Sequence, residues 1–484
     1  MTQRFVAGID SSTQSTKVEI RRIDDGEVVA TGRAAHEPTT PPRSEQDPTS
    51  WWNALTDALS EIEPDLRAGV EAVAVAGQQH GLVLLDGQGD PLRAAKLWND
   101  TDSAPQAAAM VAADGSAQWV DRCGSVPSAS FTITKLAWVA ENEPDLISRV
   151  DKIMLPHDYL TWRLTGEHVT DRGDASGTGW WSPSVGDYVT EVVDDVAPGA
   201  GDRLPKVMGP TESPGVVRAD VAETLGLDHD VVVGPGSGDN MAGALGLGLG
   251  PGDLAISIGT SGTAYAVSAI PTADERGLVA GFADATGHFL PLVCTLNATK
   301  VTEAFRRLLG VDYEAFDRLA LDAPLGAGAV VLVPYLDGER TPNRPDATGQ
   351  LTGLRSDVEP RQLARAAIEG VCFGLLDGVE ALVEAGVPLT GRTFLIGGGA
   401  KSKAYCRIMA DLSGRSLTVP SDDETVATGA AVQAAVVAGH GSFAEVAERW
   451  QLGTGAEIGA DRSLADAASE ARKGYRSARD LAVD

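Results

Sequence analysis

Short apolar runs along this chain stop repeatedly at turns built from glycine and hydroxyl residues, and the pattern predicts an α/β protein. Residues 5–9 (FVAGI) lead into the polar stretch DSSTQSTK (10–17). A second apolar run follows at 18–20 and, beyond Asp24-Asp25-Gly26, a third at 27–30. Apolar runs of this length broken by turn residues read as a three-stranded antiparallel meander. The same arrangement returns at 254–267, where LAISI meets Gly259-Thr260-Ser261-Gly262 and the chain resumes at Tyr265-Ala-Val. One supersecondary unit per half, a remote internal duplication, is therefore expected. Helical apolar spacing appears at residues 50–62 (Ser50 a cap candidate), 130–142, 298–309, 360–384 and 405–413. Further strands are expected at 70–76, 82–85, 330–334 and 393–396, and residues 174–178 read as a polar turn.

Just past the middle, VVVGPGSGDNMAGALGLGLG (231–250) takes an apolar run into a glycine-rich turn that presents Asp239 and Asn240. Residues 241–249 and 425–438 are two helical stretches made almost wholly of small residues. Such helices can cross very closely, which suits a hinge that carries a base. A chain of 484 residues exceeds what one core supports, so two or three domains are the prior; the division expected is 1–245 and 246–484, with the first closing near Gly246.

Composition changes this picture only by exclusion. A formal charge of −29, with 30 Arg and 9 Lys against 68 acids, argues against a nucleic-acid binder. No apolar run approaches a membrane span of about 20 residues. The N-terminal residues run straight into a strand without a signal-peptide pattern, and Cys123, Cys294, Cys372 and Cys406 lie far apart with no CxxC pair. Reduced thiols in a cytoplasmic protein are the expectation.

Three glycine- or hydroxyl-rich turns follow strands, at residues 10–16, 259–263 and 397–402, and together they suggest nucleotide phosphates. None is a P-loop, because Ala400 stands where the glycine before Lys401 would be and the upstream spacing fails. Gly234-Pro-Gly-Ser-Gly238 lacks the third glycine of a dinucleotide fingerprint. Zinc spacing and a GxSxG elbow are both missing. Asp10, at a strand end beside hydroxyls, reads as a water-mediated Mg²⁺ partner or as a turn-capping acid. Asp239 reads as a base or a turn residue, and His80 as a structural histidine or a ligand contact. Trp98, Asn99 and Asp100 read as the lining of a polar pocket, and Trp98 equally as core.

The order of these features resembles the FGGY carbohydrate kinases of the actin, hexokinase and heat-shock-chaperone ATPase superfamily. Two long stretches carry the likeness: SFTITKLAWVAEN (130–142), and GQLTGL (349–354) closing with QLARAAIE (362–369). SEQDP (44–48), GQQHG (77–81), LWND (97–100), GSGDN (236–240) and PYLDGERTP (334–342) are similar to a subgroup acting on a ketopentose. The resemblance implies two actin-like, ribonuclease H-like ATPase domains with a cleft between them. It implies ATP-dependent phosphorylation of D-xylulose at its 5-hydroxyl, with ATP and Mg²⁺ as cofactors. Asp239 then matches the catalytic base and Asp10 the second catalytic acid and metal partner through water. Thr13, Gln14 and Lys17 match the first phosphate motif, Gly259, Thr260 and Ser261 the second, and Gly398, Gly399 and Ser402 the adenosine motif. His80, Asn240, Gln79, Trp98 and Asp100 match the sugar side. Sugar and ATP are the implied partners, with a homodimer left open and neither nucleic acid nor membrane. Gln79 departs from the Met frequent at that place, which keeps ribulose, another pentulose, a polyol or a sugar acid in play. Ser11-Ser12 stand where many relatives have a glycine. An ATPase with no small-molecule acceptor is the alternative from another class.

Overall fold

The computed structural model describes residues 4–481; the outermost residues of both expected domains, 1–3 and 482–484, lie outside them. The chain forms two compact units that are not divided at one point in sequence. The first comprises residues 4–249, Ala269–Leu290 and Glu424–Leu452; the second comprises Gly250–Ser268, Pro291–Asp423 and residues 453–481.

The first unit is built on a mixed sheet in the order Gly215–Val216, Val232–Val233, Val70–Gly77, Phe5–Ser11, Ser15–Arg22, Val28–Ala35. Phe5–Ser11 is antiparallel to Ser15–Arg22, with Asp10 opposite Lys17, and parallel to Val70–Gly77, with Asp10 opposite Ala76. All seven residues of Phe5–Ser11 are buried, as expected of a central strand covered on both faces. The helix Pro48–Ser60 buries Trp51, Trp52, Leu55 and Leu59 in this core. Its cap is Asp47, not Ser50, because the Asp47 carboxylate accepts from the Thr49 amide and Pro48 takes the first helical position. A one-turn helix, Arg172–Ala175, capped by Asp171, takes up the first two residues of the polar turn expected at 174–178.

The two small-residue stretches form the helices Asp239–Gly246 and Thr425–Val437, both in the first unit and packed on each other. Their backbones nearly touch. A Cβ on Gly429 would lie 1.8 Å from the Ala242 carbonyl oxygen, and one on Gly246 would lie 1.9 Å from that of Thr425. The close crossing expected from composition is present, and it holds the helix that begins with Asp239.

In the second unit the sheet runs Phe289–Thr295, Gly262–Ala266, Leu254–Ile258, Thr393–Ile396, Leu417–Pro420, Gly455–Ile458. Leu254–Ile258 is antiparallel to Gly262–Ala266 and parallel to Thr393–Ile396. This repeats the first sheet's plan of a central strand, a tight turn back and a parallel neighbour on the other side. The helix Pro360–Glu384 has the bounds its periodicity predicts and is mostly buried. Among the described residues no helix is long and apolar enough to cross a membrane, and all four cysteines are free.

Replacing Gly429 by Val should lower stability by about 3 kcal/mol, the upper part of the usual overpacking range, because the obstacle is backbone. Urea unfolding measures this. A midpoint unchanged from wild type would show that the crossing opens without cost.

Candidate active site

The end of the central strand in the first unit gathers acids where solvent is scarce. Asp10 is 5% exposed, and its Oδ1 has no hydrogen-bond partner. Burial pushes its carboxyl up to about 7, against the pull of Lys17 and with Glu424 and Glu19 adding to the rise. Lys17, expected beside phosphate, pairs with Glu424 at 2.5 Å. The turn after Asp10 is braced from three sides. Thr13 Oγ1 donates to Gln78 Oε1 at 3.0 Å, the Trp98 indole donates to Thr13 Oγ1 at 3.0 Å, and Gln46 Nε2 donates to the Thr13 carbonyl at 2.9 Å. Thr13 and Trp98 thus come together, while Gln14 is exposed beside them.

Asp239 opens its helix directly after the short strand Ser237–Gly238, which lies parallel to the end of Val70–Gly77. It is half-buried, and its Oδ1 accepts from Asn240 Nδ2 at 2.9 Å. Burial raises its carboxyl to about 7, with Asp10 and Asp174 adding repulsion and the Asn240 bonds opposing it. A carboxylate near neutrality is suited to take a proton from an alcohol. Asn240 Nδ2 also donates to Gln79 Oε1 at 2.5 Å, and Gln79 Nε2 lies 3.2 Å from Met241 Sδ. Gln79 is therefore bound into the row that holds Asp239.

His80 has φ 62°, a strained value for a residue with a Cβ. Asp174 fixes it twice, facing the His80 amide at 3.2 Å and the ring Nδ1 at 3.0 Å. Phe131 stacks on the ring at 5.7 Å, and Phe282 tilts against it at 5.2 Å.

Asp100 does not join this group. It is fully buried, and its carboxylate is taken up by Lys96 Nζ and the amides of Ser44 and Asp102. The expected sugar contact is corrected to a brace for the loop that presents Trp98, because no face of the side chain is left for a ligand.

In the second unit the two glycine turns lie against each other. The Gly259 carbonyl accepts from Thr299 N and Oγ1, and the Thr260 carbonyl accepts from Ala298 N. A Cβ on Gly399 would lie 2.4 Å from Ile258 Cγ2, so only glycine lets the second turn cross the strand end. A cavity of about 300 Å³ opens there, lined among others by Thr260, Gly398, Gly399, Ser402, Arg306 and Tyr313. Ser402 caps the helix Lys403–Ser413 and donates to Asp317 Oδ1 at 2.7 Å. Its hydroxyl is thus spent on the wall. Sequence reading missed Arg306 and Tyr313, which stack 4.5 Å apart. The available signal was Asp312, a capping acid that starts a helix with an aromatic at its first position.

A duplicated sheet plan, with strained and acidic residues on one copy and a glycine cradle on the other, defines the class of actin-like ATPases and sugar kinases. The chain belongs to the FGGY family of carbohydrate kinases: the family's N-terminal domain matches residues 5–246 and its C-terminal domain residues 254–438. Similar proteins include the xylulose kinase of Streptomyces coelicolor, 47% identical over 452 residues that cover 93% of this chain and 92% of that one. The xylulose kinase of Streptomyces rubiginosus is 46% identical over 452 residues, with the same shares covered. Among solved structures, xylulose kinase from Bifidobacterium adolescentis superposes with a TM-score of 0.86 at 39% identity, covering 98% of this chain and 100% of that one.

The raised carboxyl of Asp239 also has a consequence for stability. A folded-state value above the unfolded one favours folding at acid pH, and that contribution is lost as pH rises from about 4 to about 7. Asp239→Asn should therefore raise Tm at pH 8 and change it less at pH 5. Thermal melts of both proteins at the two pH values test this; a larger gain at pH 5 would contradict it.

Proposed function

We propose that this chain transfers the γ-phosphoryl of ATP to the 5-hydroxyl of D-xylulose, giving D-xylulose 5-phosphate and ADP, with Asp239 as general base. The observation that carries this reading is the half-buried Asp239 carboxyl, poised near neutrality and held by Asn240. High identity to xylulose kinases over almost the whole chain supports the substrate.

Phosphoryl transfer asks the protein for alignment and charge balance more than for covalent chemistry. In this reading the second unit's cradle takes the nucleotide. Gly259, Thr260 and Ser261 face its phosphates, while Gly398, Gly399 and Tyr313 face the nucleoside. On the first unit Thr13, Gln14 and Lys17 meet the transferring phosphate, and His80, Gln79, Asn240 and Trp98 meet the sugar. Asp239 Oδ2 accepts the proton of the attacking hydroxyl while Oδ1 stays on Asn240. The open, buried Oδ1 of Asp10 fits a Mg²⁺ ion approached through its waters. When bound, that ion neutralises phosphate charge. Asp10 would hold it, and holding it requires Asp10 to be ionised, which burial resists despite the pull of Lys17.

A second reading follows from Gln79, whose amide ties to Asn240. A polar residue there suits a differently placed hydroxyl, so the best acceptor becomes ribulose, a polyol or a sugar acid by the same chemistry. A panel of these acceptors in a coupled ADP assay decides between them. D-xylulose should give the highest kcat/KM, with glycerol poor because it leaves polar groups around His80 unpaired. If ribulose wins severalfold, the substrate assignment falls while the kinase remains.

Asp239→Asn should lower kcat by roughly 10²–10⁴-fold with little change in ATP affinity. Near-normal turnover would remove Asp239 as base. His80→Ala should raise the sugar KM and leave ATP binding intact. A variant that loses stability but keeps wild-type sugar kinetics would make His80 structural only.

A further inference from the structure

Beneath the sugar side lies a buried charge that the proposed chemistry does not use. His157, near the start of the helix Pro156–Thr165, has no exposed surface. Its Nε2 is 3.3 Å from Asp158 Oδ1, 3.2 Å from Asp171 Oδ1 and 3.5 Å from Asp174 Oδ2. Three carboxylates around one imidazole favour a cation between them, since buried like charges this close repel, although burial still raises Asp158 itself to about 7 against the pull of His157. Burial alone would strip the imidazole of its proton. Asp158, Asp171 and Asp174 outweigh burial and lift it to about 9.

Each partner is held for a separate reason. Asp158 accepts from the Leu155 amide at the head of the same helix. Asp171 accepts from the amides of Gly173 and Asp174, fixing the short helix that carries Asp174. Asp174 uses its other oxygen, Oδ1, to accept from the His80 amide, and the same oxygen lies 3.0 Å from His80 Nδ1. His157 also backs the two chain segments that lead into the site, one with its imidazole and the other with its Cβ and backbone. A Cβ on Gly236 would meet its Nδ1 at 2.5 Å, and one on Gly77 would meet its Cβ at 3.0 Å. Gly236 precedes Asp239 by three residues, and Gly77 precedes His80 by three.

We infer that His157 is a positioning residue for the sugar site: it holds Asp174 in place as a carboxylate, and Asp174 keeps the proton of His80 on Nδ1 so that Nε2 faces the sugar as an acceptor. The inference deepens the proposed function and rests on its assignment of His80 to the sugar. The physical chain is short. With a cation at position 157, the Asp174 side chain is held between His157 and His80; a carboxylate only accepts, so His80 must donate from Nδ1, and the neutral ring keeps a lone pair on Nε2. With a neutral side chain there, Asp174 loses the charged partner that holds it, and the His80 tautomer is no longer fixed.

The test begins with wild type. Nitrogen-15 NMR of histidine-labelled protein at pH 7.5, with signals assigned by His80→Gln and His157→Gln, should show His157 doubly protonated and His80 neutral with its proton on Nδ1. A neutral His157, or His80 protonated on Nε2 alone, overturns the inference without any variant needing to be active. In kinetics with the best sugar of the acceptor panel, His157→Gln should raise the sugar KM at least tenfold. The ATP KM should stay within twofold and kcat should fall less than kcat/KM. In a His80→Ala background the same substitution should add little, because its effect runs through His80. A purely structural role predicts a lower Tm with unchanged sugar KM and an unchanged His80 signal, and that result overturns the inference. If His157→Gln does not fold, Asp174→Asn carries the same kinetic expectation, and an unchanged sugar KM there counts against it equally. If no sugar on the panel is phosphorylated, the proposed function fails, while the wild-type spectrum still reads the link from His157 through Asp174 to His80.

Discussion

The acids of the first unit are held together against their own repulsion and against the cost of leaving water. Burial raises the proton affinity of Asp10 and Asp239, and at Asp239 the repulsion of Asp10 and Asp174 adds to it. Such an arrangement persists only where the surrounding structure is rigid enough to forbid relaxation. The rigidity is visible in the fold. Asp10 ends a fully buried central strand, Asp239 starts a helix clamped at van der Waals limits to Thr425–Val437, and Asp174 sits on a one-turn helix capped by its neighbour Asp171.

That constraint explains why small residues crowd the region. A helix that must bring a carboxylate to a strand end, and must not move, needs an approach closer than side chains permit. Gly246 and Gly429 supply it. The left-handed backbone of His80 belongs to the same economy of motion: Asp174 takes both its amide and its ring, and Phe131 and Phe282 hold the ring in place. The chemistry on the two units differs in kind. The first offers oriented side chains of tuned proton affinity, and the second offers a backbone cradle in which glycine's lack of a Cβ is the functional property.

Gln79 shows how a single polar residue enters this row. Its amide joins Asn240 on one side and the Met241 sulfur on the other, so it is part of the frame around Asp239 as well as a candidate sugar contact. A substitution there would disturb the frame around Asp239 as well as the candidate sugar contact.

The sequence by itself determined the antiparallel strand–turn–strand unit and its return in the second half, because strand and turn signals are local, while the parallel neighbours Val70–Gly77 and Thr393–Ile396 were left to tertiary structure. FVAGI before DSSTQ, and LAISI before GTSG, specify a strand and a tight return without reference to anything distant. It also determined the close helix crossing, since runs of Ala and Gly have no other packing to offer, and it marked Asp10, His80, Asp239 and Asn240 through their places in turns. Tertiary structure alone decided which polar residues are free to act. Asp100 and Trp98 stand two residues apart in one motif, yet a buried lysine consumes the first while the second reaches Thr13 across 85 positions. Likewise, nothing local says that Asp158, Asp171 and Asp174 converge on His157, or that Arg306 and Tyr313 stack beside the glycine cradle. Those outcomes depend on distances between segments far apart in the chain, and burial and charge act through such distances; periodicity and turn chemistry do not encode them.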